Sequence, residues 1–216
     1  SGCTPVIAPD AFQRVIKDRY DADILFLIQQ ANVRSSELKK QEVSELRELI
    51  ENAHEAPNQR VSVEVQAYAS PDGGLALNER LSAQREKNTS EALHRALARD
   101  IQIAAHYTAE DWEGFRTFVE QSNIQDKDLI LRVLSMYTDP EEREREIRNI
   151  SLVFSQLAQD ILPKLRRSRV SALVETIGKS DLEIAELAQT TPQKLTIEEL
   201  LYAAAIAKTD KEKQQI

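Results

Sequence analysis

The sequence predicts an α/β fold: a small mixed β-sheet of βαβαβ–β order, covered by helices on one face and followed by a C-terminal helical hairpin. Some short segments alternate apolar and polar residues, which is typical of strands, and the segments between them repeat apolar residues at helical spacing. Glycine (5) and proline (7) are scarce among the 216 residues, which favours helix over an all-β design. Strands separated by helices indicate crossover units with helices packed on the sheet.

The first half of the chain supplies the clearest elements. The apolar run 24–28 is too short for a helix and predicts a buried strand, and 35–53 has the apolar period of an amphipathic helix. Residues 60–69 alternate valine or alanine with polar residues and predict a second strand. After a Pro- and Gly-rich loop at 70–74, a long helix is expected from 75 to 98. Its apolar stripe is expected to comprise Leu77, Leu81, Ala92 and Ala96.

A third alternating segment, 101–107, predicts another strand, and a helical insertion of about 109–165 follows it. The run Thr108-Ala109-Glu110-Asp111 resembles a capping box at the start of this insertion, and Asp139-Pro140 is a cap with proline in the first turn. Alternation from Val170 to Thr176 predicts the fourth strand, which ends at Gly178. Trp112, Phe115 and Val119 are expected to face inward.

The C-terminal part differs in character. Residues 181–188 and 196–207 predict two short amphipathic helices, with Thr196 and Glu199 as a capping box, and a further helix is expected from Asp210. We therefore divide the chain into an N-terminal extension (1–21), a sheet-containing domain (22–178) and a tail (179–216) that resembles a truncated array of helical, tetratricopeptide-like repeats.

Charge and motif content exclude several function classes. The net charge of −8 argues against nucleic-acid binding, and we interpret the basic cluster Lys164, Arg166, Arg167 and Arg169 as a solvated edge between a helix and a strand. No apolar run is long enough to span a membrane. The three histidines lack ligand spacing, and no catalytic motif occurs, so we expect no metal, no cofactor and no enzymatic activity. Cys3, after Ser1-Gly2, is either an ordinary residue behind a cloning remnant or a lipidation site, and we prefer the first.

Residues 61–97 carry a resemblance to a known family. The strand ends in Ala67-Tyr68-Ala69-Ser70, Gly73 follows, and the helix contains Asn78-Glu79-Arg80-Leu81-Ser82-Ala83-Gln84-Arg85. This resembles the OmpA C-terminal domain family, which includes flagellar stator and peptidoglycan-associated proteins and has Asn-Xaa-Xaa-Leu-Ser-Xaa-Xaa-Arg on that helix. The segment 165–170 is similar to a later strand of the family. The resemblance covers about residues 22–178, with an unusually long insertion.

The resemblance implies a peptidoglycan site. Family members hold diaminopimelate between an Asp at the strand end, which pairs with the ammonium, and an Arg on the helix, which pairs with the carboxylate. The Arg corresponds to Arg85, whereas the Asp position, fifteen residues earlier, is Ser70. The site therefore lacks its usual carboxylate, and Asp72 is an alternative partner if it turns inward. We prefer to interpret Asp72 as a turn residue, Asn78 as a helix N-cap and Ser82 as a loop-bonding residue.

These expectations lead to a non-catalytic domain of the Gram-negative cell envelope. It would tether an outer-membrane-associated protein, on the periplasmic side, to peptidoglycan fragments or to envelope proteins, with weakened or lost fragment binding. The alternative is a structural interaction module that has lost peptidoglycan binding and works through its helical tail. Arg85 is expected near Ser70 in a shallow pocket with a positive floor, and Ser70→Asp is expected to strengthen fragment binding.

Overall fold

The computed structural model describes residues 14–214, and it confirms the predicted α/β class with a four-stranded mixed sheet and C-terminal helices. The elements of this part of the chain are β1 (Val15–Leu25), α1 (Ser35–Lys39), α2 (Gln41–Glu55), β2 (Gln59–Tyr68), α3 (Leu75–Ala96), β3 (Ile103–Thr108), α4 (Trp112–Gln121), α5 (Lys127–Met136), α6 (Pro140–Arg148), α7 (Ser151–Asp160), α8 (Leu162–Leu165), β4 (Arg167–Ile177), α9 (Asp181–Thr190), a short 3-10 turn (Pro192–Lys194) and α10 (Ile197–Gln214).

The strands lie in the order β1-β4-β2-β3. β2 runs parallel to β3, and its register places Val63 opposite Ile103 and Tyr68 opposite Thr108. Val63 and Val65 are buried, as the alternating pattern predicts, and Val61 is partly buried against the same core. Because the two strands are parallel, this register places the end of β2 beside the end of β3, where the insertion begins.

The first strand differs from its prediction. β1 begins at Val15 and ends at Leu25, so it overlaps the predicted extension 1–21 and stops within the apolar run 24–28. Ile24 is buried, but Leu27 and Ile28 are 46% and 56% exposed because they lie in the loop after the strand. The early residues of β1 are all exposed, so no apolar alternation marks them in the sequence. Cys3 lies outside the described residues.

Two helix predictions are wrong at their boundaries. The segment 35–53 forms two helices, because Lys40 adopts an extended backbone (φ −63°, ψ 153°) between α1 and α2. The tail has one continuous helix, α10, where a helix to residue 207 and another from Asp210 are predicted. The Thr209 hydroxyl donates a hydrogen bond to Ala205 O one turn earlier, so its hydrogen-bond donor is satisfied without a break in the helix.

The helix caps are partly as predicted. Asp139 accepts from Glu142 N at the start of α6, and Thr196 and Glu199 form the reciprocal capping box of α10. The capping box predicted to begin at Thr108 is wrong, because Thr108 is the last residue of β3. Asp111, three residues later, is the N-cap of α4, and its carboxylate accepts from Gly114 N at 2.8 Å. The carboxylate satisfies one of the free N–H groups of the first turn.

The described chain divides into two compact units, one of residues 19–56 and 61–174, the other of residues up to Asp18, 57–60 and from Glu175 onward. The larger unit has two hydrophobic clusters. One joins the sheet to α2 and α3, with Ile24, Ile50, Val65, Leu93 and Ala172 at its centre. The other lies within α4–α8 and includes Phe115, Val119, Ile130, Leu157 and Leu165. The inward positions of Phe115 and Val119 confirm their prediction, and the second cluster means that the insertion has a core of its own.

The smaller unit includes α9 and α10, where Ile184 of α9 and Ala203 of α10 are buried together with Leu195 of the connection between them. Arg14 lies in an ion pair with Asp181 at 3.3 Å, and its guanidinium lies 4.1 Å from the centre of the Tyr202 ring. None of the helices in the described part of the chain is long and apolar enough to cross a membrane.

Candidate functional site

The buried face of α3 is polar where an apolar stripe is predicted. Asn78, Ser82, Arg85 and Thr89 are buried at alternating steps of four and three residues, and apolar side chains take over only at Ala92 and Leu93. Leu77, assigned to the apolar stripe by its sequence pattern, is 37% exposed. A buried polar stripe must find hydrogen-bond partners, since each unsatisfied group costs roughly 1–3 kcal/mol. These partners organise the candidate site.

Arg85 is fully buried and bonded to three backbone carbonyls. Its Nε donates to Gln30 O at 3.0 Å, Nη1 donates to Tyr68 O at 3.0 Å, and Nη2 donates to Leu27 O at 3.3 Å. The guanidinium thereby joins the end of β2 to the loop that follows β1. That loop contains Gln29 at φ 57°, a left-handed conformation that is uncommon for a residue other than glycine.

The environment of Arg85 differs from that of an exposed ligand-binding arginine. Burial and, to a smaller extent, the Arg166 guanidinium lower its pKa to about 10, and Asp72 acts in the opposite direction. The side chain therefore stays charged at neutral pH, but most of its donor capacity is directed at the protein backbone. Ser70 and Arg85 line the same cavity, as the resemblance implies, but Arg85 is fully buried and does not lie at the mouth of the cavity as predicted.

The cavity has a volume of about 270 Å³. Its walls come from the loop after β1, the loop between β2 and α3, the first turns of α3, and the insertion helices. The lining residues are Ile28, Gln29, Ser70, Asp72, Gly73, Leu77, Asn78, Leu81, Arg85, Arg148, Phe154, Ala158, Leu162 and Arg166. Three arginines and one aspartate in this set give the cavity a positive balance, and Phe154, Ala158 and Leu162 show that the insertion forms one wall.

Asp72 faces this cavity. Its carboxylate accepts the Ser70 hydroxyl, and its Oδ2 lies 3.6 Å from Arg166 Nη2. Asp72 N also donates to Ser70 O at 2.8 Å, so the residue shapes the turn as predicted. The turn also directs the carboxylate into the cavity, two residues after the position that the resemblance indicates.

Arg166 is the second buried arginine of the cavity, and the interpretation of its basic cluster as a solvated edge is wrong. Arg166 and Arg167 are only 9% and 3% exposed. Arg167 Nη2 lies 3.1 Å from Asp111 Oδ2, and its guanidinium lies over the Tyr68 ring at 4.7 Å. Arg166 Nε is buried and has no hydrogen-bond partner among residues 14–214. The Arg166 side chain lines the cavity, but its Nε has almost no accessible surface.

Two side chains, Asn78 and Glu144, bond the backbone of the loop that carries Asp72. Asn78 Nδ2 donates to Asp72 O and to Glu110 Oε2, each at 3.1 Å. Gly73 N donates to Glu144 Oε1 at 2.9 Å, and Glu144 also pairs with Arg148. The N-cap of α3 is Gly74, so the prediction of Asn78 as the N-cap is wrong. Ser82 donates to Glu79 O within its own helix and does not bond the loop.

Glu110 is the most perturbed carboxyl of this region. Burial raises its pKa to about 7. The Asn78 amide and the Trp112 indole lower it, while the negative charges of Glu144 and Asp72 raise it. Within the described ranges, no group of three or more His, Cys, Asp and Glu side chains has an arrangement that could hold a metal ion.

Sequence analysis misses Arg166, Arg148, Glu110 and Glu144 as residues of this region. Glu144 and Arg148 are four apart on a helix with many such pairs, so nothing in the pattern distinguishes them. For Arg166 there is one local signal: it directly follows the apolar Leu165 and precedes an alternating strand, a context in which side chains are often buried. No protein-family model matches this chain, and no curated protein matches it significantly.

Proposed function

We propose that this chain contains a divergent OmpA-like domain, a non-catalytic module of the Gram-negative envelope that binds the diaminopimelate of peptidoglycan. The proposal depends on one observation: the Asp72 carboxylate points into the cavity and lies beside Arg166 there. Arg85 lines the same cavity but is fully buried. A carboxylate and a guanidinium in one cavity suit an amino-acid group that presents both an ammonium and a carboxylate.

Asp72 provides the ammonium partner. It takes the part that the family gives to the strand-end Asp, and Ser70, at that strand-end position, supports it through its hydroxyl. A ligand ammonium would share the carboxylate with Arg166, whose Nη2 is 3.6 Å away, beyond the distance of a strong hydrogen bond. The carboxylate therefore keeps acceptor capacity for a ligand.

Arg166 provides the carboxylate partner. Arg166 lines the cavity, and its Nη2 lies 3.6 Å from Asp72 Oδ2, too far for a strong hydrogen bond, whereas three of the donors of Arg85 are bonded to carbonyls. In this proposal Arg85 fixes the shape of the site and adds positive potential, and Arg166 makes the direct contact. Phe154, Ala158 and Leu162 supply an apolar wall for the methylene chain of diaminopimelate.

Calorimetric titration with meso-diaminopimelate, a diaminopimelate-containing stem peptide and pimelate tests this assignment. Pimelate has the same carbon chain and carboxylates but no ammonium groups. We expect the stem peptide and diaminopimelate to bind more tightly than pimelate. Asp72→Asn should weaken diaminopimelate binding roughly ten- to hundredfold, the effect of one charge-assisted bond, and leave pimelate binding unchanged or stronger.

Glu51→Gln is the matched control for Asp72→Asn, because it also removes one carboxylate but lies exposed on α2 and does not line the cavity. Arg166→Gln should weaken binding of both ligands. Ser70→Asp should bring no gain, since it would place a second carboxylate against Asp72. Failure of the wild type to bind any of the three compounds would overturn the proposal. It would favour the alternative interaction module, for which the exposed Ile197 and Leu201 of α10 are the surface to test.

A further inference from the structure

Asn78 connects the proposed binding site to a carboxyl group outside the cavity. Its side-chain amide donates one hydrogen bond to Asp72 O, in the loop that directs the Asp72 carboxylate inward, and another to Glu110 Oε2. Asn78 is only 2% exposed, so water does not compete for these bonds. Glu110 does not line the cavity, and any effect on a ligand must therefore pass through Asn78 or through its charge.

We propose that Glu110 is a positioning residue of the site: its ionised carboxylate orients Asn78 and the Asp72 loop, and its charge favours a ligand ammonium over an uncharged group. This role rests on the proposed function, because it concerns the same cavity and ligand class.

The charges around Glu110 explain why its ionisation responds to a ligand. Asp72 faces it from the β2–α3 loop and Glu144 from α6, while the uncharged Asn78 and Trp112 face it from α3 and α4. Burial and the two neighbouring carboxylates oppose its ionisation. A ligand ammonium bound at Asp72 would offset part of this negative charge, so binding and ionisation of Glu110 support each other.

Ionisation of Glu110 lowers the free energy of unfolding, whereas a side chain with a purely structural role would raise it. A carboxyl whose pKa is raised to about 7 in the folded state, from an ordinary value of 4.5, destabilises the fold as the pH rises between these values. Glutamine would keep the carbonyl acceptor for Asn78 without this cost. We therefore expect Glu110→Gln to unfold at a higher urea concentration than the wild type at pH 8, yet to bind diaminopimelate less tightly.

The test compares diaminopimelate binding at pH 6 and pH 8. The wild type should bind about fivefold more tightly at pH 8, an effect of the size expected for one charge that acts from outside the cavity through partly solvated protein. In Glu110→Gln this dependence should disappear. Pimelate, which has no ammonium, should bind the wild type no better at pH 8 than at pH 6. Unchanged pH dependence in Glu110→Gln would overturn the inference while leaving the proposed function intact.

A second measurement needs no variant. Titration of the wild type at pH 7 in buffers of different ionisation enthalpy should show release of a fraction of a proton when diaminopimelate binds, because the ammonium promotes ionisation of Glu110. Binding without proton release would contradict the role of Glu110. Absence of binding at both pH values would overturn the proposed function, and the role of Glu110 with it.

Discussion

Replacement of Arg85 by alanine distinguishes the buried arginine of the structure from an exposed, ligand-binding one. The change removes the donors to Gln30 O, Tyr68 O and Leu27 O and leaves a cavity in a site with no exposed surface. Hydrogen bonds to charged groups contribute roughly 1.5–3 kcal/mol each, and partial hydration of the carbonyls offsets part of their loss. We expect the free energy of unfolding to fall by about 3–5 kcal/mol.

Urea denaturation followed by Trp112 fluorescence measures this change, because Trp112 is the only tryptophan of the sequence and lies in the same unit as Arg85. With a slope of about 2 kcal/mol per molar urea, the midpoint should fall by about 2 M. Arg85→Lys should recover only part of the loss, since one ammonium cannot replace a planar fork with bonds to three separate carbonyls.

Arg80→Ala is the control, because Arg80 lies exposed on the same helix. Its effect should stay within about 0.5 kcal/mol, as is usual for surface substitutions. If Arg85→Ala destabilises the protein no more than Arg80→Ala, the carbonyl network contributes nothing and our account of the polar stripe on α3 is refuted.

Three further predictions concern other parts of the chain. Gly114→Ala should lower the free energy of unfolding in urea by about 1–2 kcal/mol, because the added Cβ would overlap the Asp111 carboxylate that caps α4. Gly74→Ser is the control: no described atom lies within 4 Å of a Cβ added there, so its effect should stay below about 0.5 kcal/mol. Burial alone would raise the pKa of Glu37, but hydrogen bonds from Lys40 and Leu25 N outweigh burial and lower the pKa. The ionised Glu37 side chain therefore stabilises the fold above about pH 4.5, and this stabilisation is lost as the pH falls. Glu37→Gln should lower the free energy of unfolding by about 1 kcal/mol at pH 7 and by progressively less below pH 4. Ending the chain after Gly178 should leave a cooperative Trp112 transition, since both hydrophobic clusters of the larger unit lie before that residue; a broad transition would show that the tail belongs to the same cooperative core.

Local patterns predict much of the fold because their causes lie within a few residues. The alternation in β2 follows from the geometry of a half-buried strand, and it places Val63 and Val65 in the core correctly. The caps at Asp139 and Thr196 depend on a side chain and an N–H group three residues apart. β1 is harder to predict because the exposure of its first residues removes the alternating signal.

The candidate site depends on contacts between distant parts of the chain, and no local pattern contains them. Arg85 bonds carbonyls 17 to 58 residues away, and Glu144 accepts from Gly73 across 71 residues. The sequence by itself determined the fold class and the approximate positions of β2, α3, β3 and β4. Only the tertiary structure decided that Arg85 is buried, that Asp72 turns inward and that Arg166 lies beside it, because burial and donor satisfaction are properties of the packed chain.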